Sequence, residues 1–511
     1  MNYPAMLAFF CGFSSLSLEI LWVRLYGFAQ LSTPSAFGFV LMAYLIGIAL
    51  GARAGSRVCQ KDHSDVRLWG ISIVALMVSG ICSVALPSLF GWLLSGGFDE
   101  PISATLVIAS TSAVLAFVFP IAHHLGANNF GGRMQGRRFA TVYAANVAGG
   151  ALGPLVTGYL LLDIYSLQQS FAVLALLQFS IAGVFALAIL SGATKNILSV
   201  VSIFFCIVSI VFYFGGNPHI LIEKIDGHSI KPSVVVENRQ GIITIYEDGS
   251  HKGDDKVYGG NVYDGRTNTD AELNTNGLNR PLLLAALQPK PERVLVVGLS
   301  IGTWLAVVNE FPNVKHVDVV EINPGYLSAA QHYPIQDNAL RDSRVNIIID
   351  DARRWLRVNS DTQYDLIIMN TTWHWRSNAS LLLSTEFLEL IKSHMAEGAV
   401  MAFNATGSDD AFYTASQVFS HAYRYSSFVY AAGFDFRARK DDKAVRQKFS
   451  ALQMNGKPMF DPGSGTINRF LDQEFVSIDE VQRGIDRPLE KISDENMITE
   501  FKYGKRLYWG F

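Results

Sequence analysis

The chain has 511 residues, and its 41 Lys and Arg stand against 44 Asp and Glu, giving a formal net charge of −3 at pH 7. It contains no run of basic residues, which excludes a protein built to bind nucleic acid. The four cysteines all lie in or beside apolar segments, so the sequence predicts neither a disulfide framework nor a metal site.

Charge divides the chain into two parts. Residues 1–216 hold only 9 Lys and Arg and 6 Asp and Glu, whereas the other 32 and 38 follow in residues 217–511. The first part is typical of a membrane region and predicts a multi-pass α-helical domain of about seven helices in a lipid bilayer. The predicted spans are roughly residues 4–23, 35–55, 68–93, 102–125, 139–161, 167–190 and 197–214.

Loop charges predict the orientation of these spans. Basic residues are concentrated in the loops after the second, fourth and sixth segments, so these loops are expected on the cytoplasmic side of a cell (inner) membrane. The N-terminus is then cytoplasmic, and the first segment is predicted to be a retained anchor rather than a cleaved signal. Seven spans would place residues 217–511 outside the cytoplasm, and the alternative is that one segment is re-entrant, for which the first segment is the best candidate.

Two charged residues mark the first apolar segment. Glu19 lies within it and Arg24 follows at its end. A carboxylate at membrane depth is costly, so Glu19 is a candidate functional residue. The alternative is structural: an ion pair with Arg24, or a hydrogen bond to a polar residue such as Asn146. Glycines spaced by four predict close contacts between helices; they are Gly47, Gly51 and Gly55, and then Gly149 and Gly153.

Residues 217–280 are predicted to form a linker and a small β-rich lead-in. The short β-type runs are Val234–Glu237, Ile242–Glu247 and Val257–Asp264, and the sequences EDGS and YDGR are predicted to be turns. In residues 281–511 strands then alternate with helices, which predicts a Rossmann-type α/β domain with a doubly wound parallel sheet. Its predicted strands are Val294–Val297, Val317–Val320, Val345–Ile349, Tyr364–Met369 and Ala399–Asn404.

Ligands bind at the carboxyl ends of the strands in such sheets. The turn from Gly298 to Gly302 follows the first strand, and Glu321, Asp351 and Asn370 follow three others. A glycine turn before a helix can face a ligand, and an acidic residue at the end of the next strand can accept from ribose hydroxyls. A nucleotide-like ligand is therefore the first hypothesis, and a purely structural turn is the alternative.

These residues belong to a longer pattern. In order, the α/β part contains VLVVGLSIGTW, VDVVEINPGYL and DSRVNIIIDDARRWL, and the membrane part contains LSLEILWVRLYG, AYLIGIALGARAG and VYAANVAGGALG. The pattern resembles the spermidine synthase (polyamine aminopropyltransferase) family in its membrane-fused form. The resemblance implies a class I methyltransferase-like fold and transfer of an aminopropyl group from decarboxylated S-adenosylmethionine to an amine.

The resemblance also assigns roles to residues at the ligand edge. Gly298 and Gly302 would form the ligand turn, Glu321 would hold the ribose hydroxyls, and Asp351 would cap the adenine amino group. Two positions depart from the family, since Ile301 and Asn370 stand where it has the aspartates that grip the aminopropyl chain and orient the attacking amine. An amide cannot act as a general base or pair with an ammonium group, so ordinary spermidine synthesis is not expected.

An unusual run, WHWR, follows Asn370 and occupies the acceptor side of the predicted site. Trp373 stands at the second catalytic-loop aspartate of the family, and its ring and that of Trp375 could hold a cation. His374 could serve as a base near neutral pH, with Asn370 orienting the substrate. Arg376 could bind a carboxylate or phosphate. The alternative is a lid packed on the β-rich lead-in or on the membrane surface.

Three readings of function follow. The first is a membrane-anchored transferase that uses S-adenosylmethionine or its decarboxylated form on a small-molecule or membrane-presented acceptor. The second is a catalytically degenerate ligand-binding or scaffold domain that recruits a protein partner at the membrane or envelope. The third is a transporter. Membrane topology distinguishes the transferase from the scaffold, because adenosyl donors are cytosolic while the loop charges place residues 217–511 outside the cytoplasm. A homo-oligomer is compatible with each reading.

Overall fold

A computed structural model describes residues 2–127 and 133–505. The described residues divide into two compact units. The first unit comprises Met1–Gln30, Ser35–Lys231 and Glu237–Arg239, and the second comprises Leu31–Pro34, Pro232–Val236 and Gln240–Phe511. A multi-helix region and an α/β domain are therefore both present, as the sequence predicts.

The first unit contains seven helices that are long and apolar enough to cross a membrane, which confirms the predicted number. The fifth is interrupted by a π-helical turn at Thr157–Leu161. The helices are α1 (Tyr3–Ala29), α2 (Pro34–Cys59), α3 (Asp65–Ser95), α4 (Glu100–Ala127), α5 (Arg133–Val156) with α6 (Leu162–Ile164), α7 (Leu167–Ile189) and α8 (Gly192–Phe214). A short helix, α9 (Ile220–Ile225), completes the unit.

The glycines spaced by four lie at close helix contacts, as predicted. A Cβ atom on Gly51 would lie 2.0 Å from the carbonyl oxygen of Ala113 on α4. A Cβ atom on Gly149 would likewise lie 2.0 Å from the carbonyl oxygen of Phe9 on α1. These contacts tolerate no side chain, because small residues are what allow two helix backbones to approach so closely.

Neither structural alternative for Glu19 is observed. The Arg24 guanidinium donates to the carbonyl oxygen of Asn238, and the side-chain amide of Asn146 donates to the Ala8 carbonyl at 3.0 Å. Within the described residues, neither of them reaches Glu19. The predicted ion pair with Arg24 and the predicted bond to Asn146 are therefore wrong, and the functional role of Glu19 stays a prediction.

The β-rich lead-in is a four-stranded sheet with its strands in chain order. They are β1 (Val234–Asn238), β2 (Gly241–Tyr246), β3 (Lys256–Gly259) and β4 (Val262–Arg266). The third predicted run is therefore two strands, because Gly260 and Asn261 turn the chain with φ angles of 58° and 63°, as in a tight two-residue hairpin. The sequence YDGR, predicted to be a turn, lies within β4.

A seven-stranded sheet forms the centre of the second unit, in the order β10-β11-β9-β8-β5-β6-β7. The strands are β5 (Arg293–Val297), β6 (His316–Glu321), β7 (Val345–Ile349), β8 (Tyr364–Met369), β9 (Met395–Asn404), β10 (His421–Tyr425) and β11 (Phe428–Ala432). The first five are parallel, as predicted. Beyond these five predicted strands, β10 and β11 form an antiparallel hairpin that joins β9.

Helices cover this sheet, and a small β hairpin, β12 (Gln453–Met454) with β13 (Lys457–Pro458), lies beyond it in sequence. The helices are α10 (Asn279–Leu287), α11 (Thr303–Asn309), α12 (Gly325–Ala330), α13 (Pro334–Leu340), α14 (Ala352–Val358), α15 (Thr385–Ser393), α16 (Asp409–Val418), α17 (Lys443–Ser450), α18 (Thr466–Leu471), α19 (Ile478–Arg483) and α20 (Ile498–Phe501). Two single 3₁₀ turns occur at Ala379–Leu382 and Arg437–Asp441.

Alternate residues of each central strand pack into different cores. Val294 and Val296 of β5 belong to one apolar cluster, whereas Leu295 and Val297 belong to another. Strands β8 and β9 divide their side chains in the same way. The continuous apolar runs in the sequence follow from this arrangement, because a strand covered on both faces has no polar side.

Candidate functional site

The carboxyl ends of the central strands border a cavity of about 390 Å³. Three segments line it: the glycine turn after β5, the loop that starts at Asn370 after β8, and the loop after β9. Residues of β4 and of the start of α10 close it on the other side. The cavity therefore lies at the sheet edge where ligands bind in open α/β folds.

The glycine turn adopts a conformation that requires glycine at its first position. Gly298 has a φ angle of 81°, and a Cβ atom there would lie 2.6 Å from the backbone oxygen of Asn370. Gly302 has a φ angle of 86° and directly precedes α11. Between them, Ile301 is buried and contributes to the cavity wall. The turn brings the loop after β8 close to β5 and shapes the cavity floor.

Glu321 is buried at the end of β6, where its carboxylate is bonded by two backbone amides. Leu299 N–H donates to Oε2 at 2.7 Å, and Asn323 N–H donates to Oε1 at 2.8 Å. Burial raises the pKa of this carboxyl to about 7, the two amide bonds oppose the shift, and the nearby Asp264 carboxylate adds to it. Glu321 thus holds the glycine turn from behind, through Leu299, which itself lines the cavity.

Asp351 is the N-cap residue of α14. Its side chain caps α14 by accepting from the Arg354 backbone amide at 2.9 Å, and the residue is exposed. Among the described residues, it is not part of the cavity wall. Its assignment to an adenine amino group stays a prediction, and it concerns a part of the ligand edge outside the cavity.

Two residues predicted for catalysis and substrate binding reach the cavity wall, Asn370 and Trp373. The Asn370 backbone amide donates to the Val297 carbonyl at 2.9 Å, which extends the pairing of β5 and β8 by one residue. The Trp373 indole N–H donates to the Tyr263 carbonyl on β4 at 3.1 Å. Trp373 therefore rests on the β-rich lead-in, as the alternative of a packed lid describes, while its ring still borders the cavity.

The other three residues of the run lie outside the wall of the cavity in the described part of the chain. His374 contacts the Thr406 hydroxyl through its backbone N–H at 3.0 Å and its Nδ1 at 2.9 Å, and burial lowers the pKa of its imidazole. Trp375 packs beside Trp373, with ring centroids 6.2 Å apart. Arg376 donates to Thr372 Oγ1 at 2.6 Å. Their roles as base and substrate ligands stay predictions.

One buried pair next to the cavity was not predicted. The Tyr326 hydroxyl donates to Asp264 Oδ2 at 2.5 Å, and burial raises the pKa of the Asp264 carboxyl, opposed by the Tyr326 bond and by the nearby Arg376. Asp264 lies in β4 and Tyr326 in α12, 62 positions apart in the sequence. The sequence YDGR marked the position, although its interpretation as a turn concealed the role of the carboxylate.

Arg280 was also missed. It is the second residue of α10 and lines the cavity together with Trp304, Ser427 and Asn276. Its guanidinium carbon lies 5.1 Å from the ring centroid of Trp304 and 5.1 Å from that of Phe428. A sequence signal existed, because a basic residue directly precedes the apolar run that starts at Pro281. That signal alone does not reveal that the side chain turns toward the ligand edge.

The second unit is similar in sequence to known proteins. Residues 283–429 match the family model of the spermine/spermidine synthase domain. A polyamine aminopropyltransferase of Streptococcus uberis is 36% identical over 88 residues, which are 17% of this chain and 30% of that protein. One of Saccharolobus islandicus is 28% identical over 189 residues, which are 34% of this chain and 62% of that protein. The chain thus spans less than two thirds of these curated relatives.

Among solved structures, spermidine synthase in complex with the transition state analogue AdoDATO aligns with 53% of this chain and 85% of its own, at 16% identity and a TM-score of 0.35. The family match begins within α10 and ends at the start of β11, and it therefore includes the glycine turn, Glu321 and the loop after β8. The C-terminal region contains a spermidine synthase-like domain, preceded in sequence by seven helices long and apolar enough to cross a membrane.

Proposed function

We propose that this protein is a membrane-anchored transferase that binds an adenosyl sulfonium donor, S-adenosylmethionine or its decarboxylated form, and modifies an acceptor other than a polyamine. The observation that carries the proposal is the cavity at the carboxyl edge of the sheet, whose wall includes residues of the glycine turn and Asn370. We expect the acceptor to be a small molecule or a membrane-presented group.

The residues at this edge fit an adenosyl ligand. Gly298 allows the turn to meet the loop after β8, because a Cβ atom there would lie 2.6 Å from the backbone oxygen of Asn370. Glu321 lies next to that turn and accepts from the Leu299 backbone amide, and we expect ribose hydroxyls to donate to the same carboxylate. The sulfonium supplies an activated carbon, so the chain itself has mainly to bind and to orient the two substrates.

The charges around the cavity argue against a polyamine acceptor. Within the described chain, Asp264 is the only carboxylate in the cavity wall, and it already accepts a hydrogen bond from Tyr326. Ile301 and Asn370 bring no charge to the positions where the related family has aspartates. A polyamine carries several ammonium groups, and a single carboxylate that already accepts a hydrogen bond cannot neutralise all of them once they leave water.

The proposal is tested by calorimetry on the full-length protein in detergent micelles, with S-adenosylmethionine, decarboxylated S-adenosylmethionine, methylthioadenosine and putrescine as separate ligands. We expect at least one of the three adenosyl ligands to bind with a dissociation constant in the micromolar range, which corresponds to about −8 kcal/mol, and putrescine to bind much more weakly. If all three fail to bind to folded protein, the transferase proposal is wrong.

A second candidate is a scaffold domain, and the loop charges are the observation that favours it. If the charge bias holds for all seven helices, residues 217–511 lie outside the cytoplasm, where adenosyl donors are absent. A reporter active only in the cytosol, fused after Phe511, decides between the two. Reporter activity supports the transferase, whereas a silent reporter on well-expressed protein supports an extracytoplasmic scaffold that recruits a protein partner.

A further inference from the structure

The cavity has an unusual distribution of charge. Among the described residues that form its wall, Arg280 is the only cation and Asp264 the only carboxylate. Asp264 is bonded to Tyr326, and burial raises the pKa of its carboxyl. The Arg280 guanidinium is therefore the charged group that the cavity wall offers to a ligand, whereas a site for an ammonium group would offer a carboxylate.

Arg280 is held in place by neutral partners. Its Nε donates to the Gly277 carbonyl at 3.0 Å, Nη2 to the Asn276 carbonyl at 3.0 Å, and Nη1 to the Ser427 hydroxyl at 3.1 Å. A guanidinium has five N–H donors, so these three bonds leave two of them for a ligand. The partners fix the planar group at the cavity wall before any ligand arrives.

No carboxylate of the described chain neutralises this charge. Arg280 forms no ion pair within the described ranges, and its guanidinium lies over the aromatic faces of Trp304 and Phe428. Burial lowers the pKa of the guanidinium, with the Tyr430 and Tyr263 hydroxyls acting in the opposite direction. Arginine stays charged in such surroundings, and a half-buried charge without a counter-ion is costly unless an anion completes the site.

We propose that Arg280 holds the α-carboxylate of the donor, so that the site selects S-adenosylmethionine over its decarboxylated form. This inference rests on the proposed function, because it requires an adenosyl donor in the cavity. The buried Ile301 beside the turn offers an amino group no acidic partner, whereas Arg280 offers a carboxylate two charge-assisted hydrogen bonds. The donor and its decarboxylated form differ only in this carboxylate, and they are therefore a matched pair of ligands.

The test compares dissociation constants of both ligands for the full-length protein in detergent, with methylthioadenosine as a ligand that lacks the amino acid chain. We expect the wild type to bind S-adenosylmethionine about tenfold or more tightly than the decarboxylated form, as a charge-assisted bond predicts. In Arg280→Gln this ratio falls to about one, while the affinity for methylthioadenosine is unchanged. Arg280→Lys keeps the charge without the planar fork and is expected to lie between the two.

Arg439→Gln is the matched control. Arg439 donates to the Leu287 carbonyl at 2.7 Å, and its guanidinium carbon lies 4.2 Å from the ring centroid of Phe434, so its contacts resemble those of Arg280 away from the cavity. Its substitution leaves the ligand ratio unchanged.

Equal binding of the two donors by the wild type, or a wild-type ratio in Arg280→Gln, overturns the inference and leaves the transferase proposal intact. Failure of all three ligands to bind overturns the transferase proposal itself. If Arg280→Gln does not fold, the wild-type ratio together with Arg280→Lys decides, because the ratio does not depend on the fraction of active protein.

Discussion

The two sides of the predicted ligand site, one for the nucleoside and one for the chain beyond the sulfur, differ in how closely they follow the spermidine synthase pattern. On the nucleoside side, Gly298, Gly302 and Glu321 keep the residue types that the resemblance assigns, and Glu321 accepts from the Leu299 backbone amide of the glycine turn. On the other side, Ile301 of the same turn and Asn370 stand where the resemblance expects acidic residues, and Arg280 adds a cation to the cavity wall. The residue types that the resemblance expects for nucleoside binding are thus retained, whereas those that it expects for the chain beyond the sulfur are replaced by two neutral residues and joined by a cation.

This contrast suggests why the two sides tolerate change differently. The nucleoside side is constrained by the backbone itself, because a side chain at Gly298 would collide with the main chain of Asn370. The other side is built from side chains on loops and helix ends, and these can be exchanged without moving a strand. Substitutions on the nucleoside side should therefore have larger effects than substitutions on the other side.

The largest effect is expected for Gly298→Ala. An L-residue in the left-handed region costs about 1–2 kcal/mol, and the new Cβ atom would also lie 2.6 Å from the Asn370 backbone oxygen. We expect the free energy of unfolding to fall by about 3 kcal/mol, seen as a melting temperature lower by about 6–12 °C. Gly433→Ala is the control, since a Cβ atom there meets nothing within 4 Å. Equal melting temperatures for both variants would contradict the constraint.

The next effect concerns the protonation of Glu321. Burial raises the pKa of its carboxyl from 4.5 to about 7, so the folded protein binds a proton there that the unfolded chain releases above 4.5. The stability contributed by this group is thus present below pH 4.5 and is lost as pH rises through 7. Ribose hydroxyls donate best to the ionised Glu321 carboxylate. A nucleoside ligand therefore favours the ionised form, which burial disfavours in the ligand-free protein.

We therefore expect methylthioadenosine to bind about tenfold more tightly at pH 8 than at pH 6, measured by calorimetry. Two titratable groups face Glu321, Asp264 and Tyr326, and burial keeps the pKa of both raised. In Glu321→Gln the pH dependence disappears and binding is weaker at both pH values, because an amide offers only one acceptor oxygen for the two backbone donors. A wild-type affinity that does not change with pH would show that this carboxylate does not contact the ribose.

A smaller change on the other side is expected for Asn370→Asp, which restores a carboxylate to the cavity wall. Opposite charges at such distances gain about 1 kcal/mol near a protein surface after solvent screening, so putrescine should bind about fivefold more tightly than to the wild type. Asn359→Asp adds the same charge at the end of α14, outside the cavity, and should leave putrescine binding unchanged. If both variants behave alike, Asn370 does not decide the choice of acceptor.

The sequence predicts one side of the site better than the other for a physical reason. Strands β5 to β9 each contain an apolar run, and the residues at their carboxyl ends must meet at one edge of a parallel sheet, so Glu321 and Asn370 follow from local pattern alone. Arg280 and the Asp264–Tyr326 pair depend on contacts between distant elements, which no local pattern contains. Strand β10 (His421–Tyr425) is also absent from the prediction, because its short mixed run lacks the apolar continuity of a buried strand.

The smallest effect is expected at His374, and it distinguishes a base from a positioning residue. The imidazole contacts Thr406, which lines the cavity, and burial lowers its pKa, so it is neutral at pH 7. In His374→Asn the amide oxygen can replace Nδ1 opposite the Thr406 hydroxyl, and we expect the donor affinity to stay within about twofold of the wild type. In His374→Ala the hydroxyl loses this partner, at a cost of about 1 kcal/mol or about fivefold in affinity. If both variants bind donor normally but lose acceptor modification equally, the imidazole acts as the base that the sequence predicts.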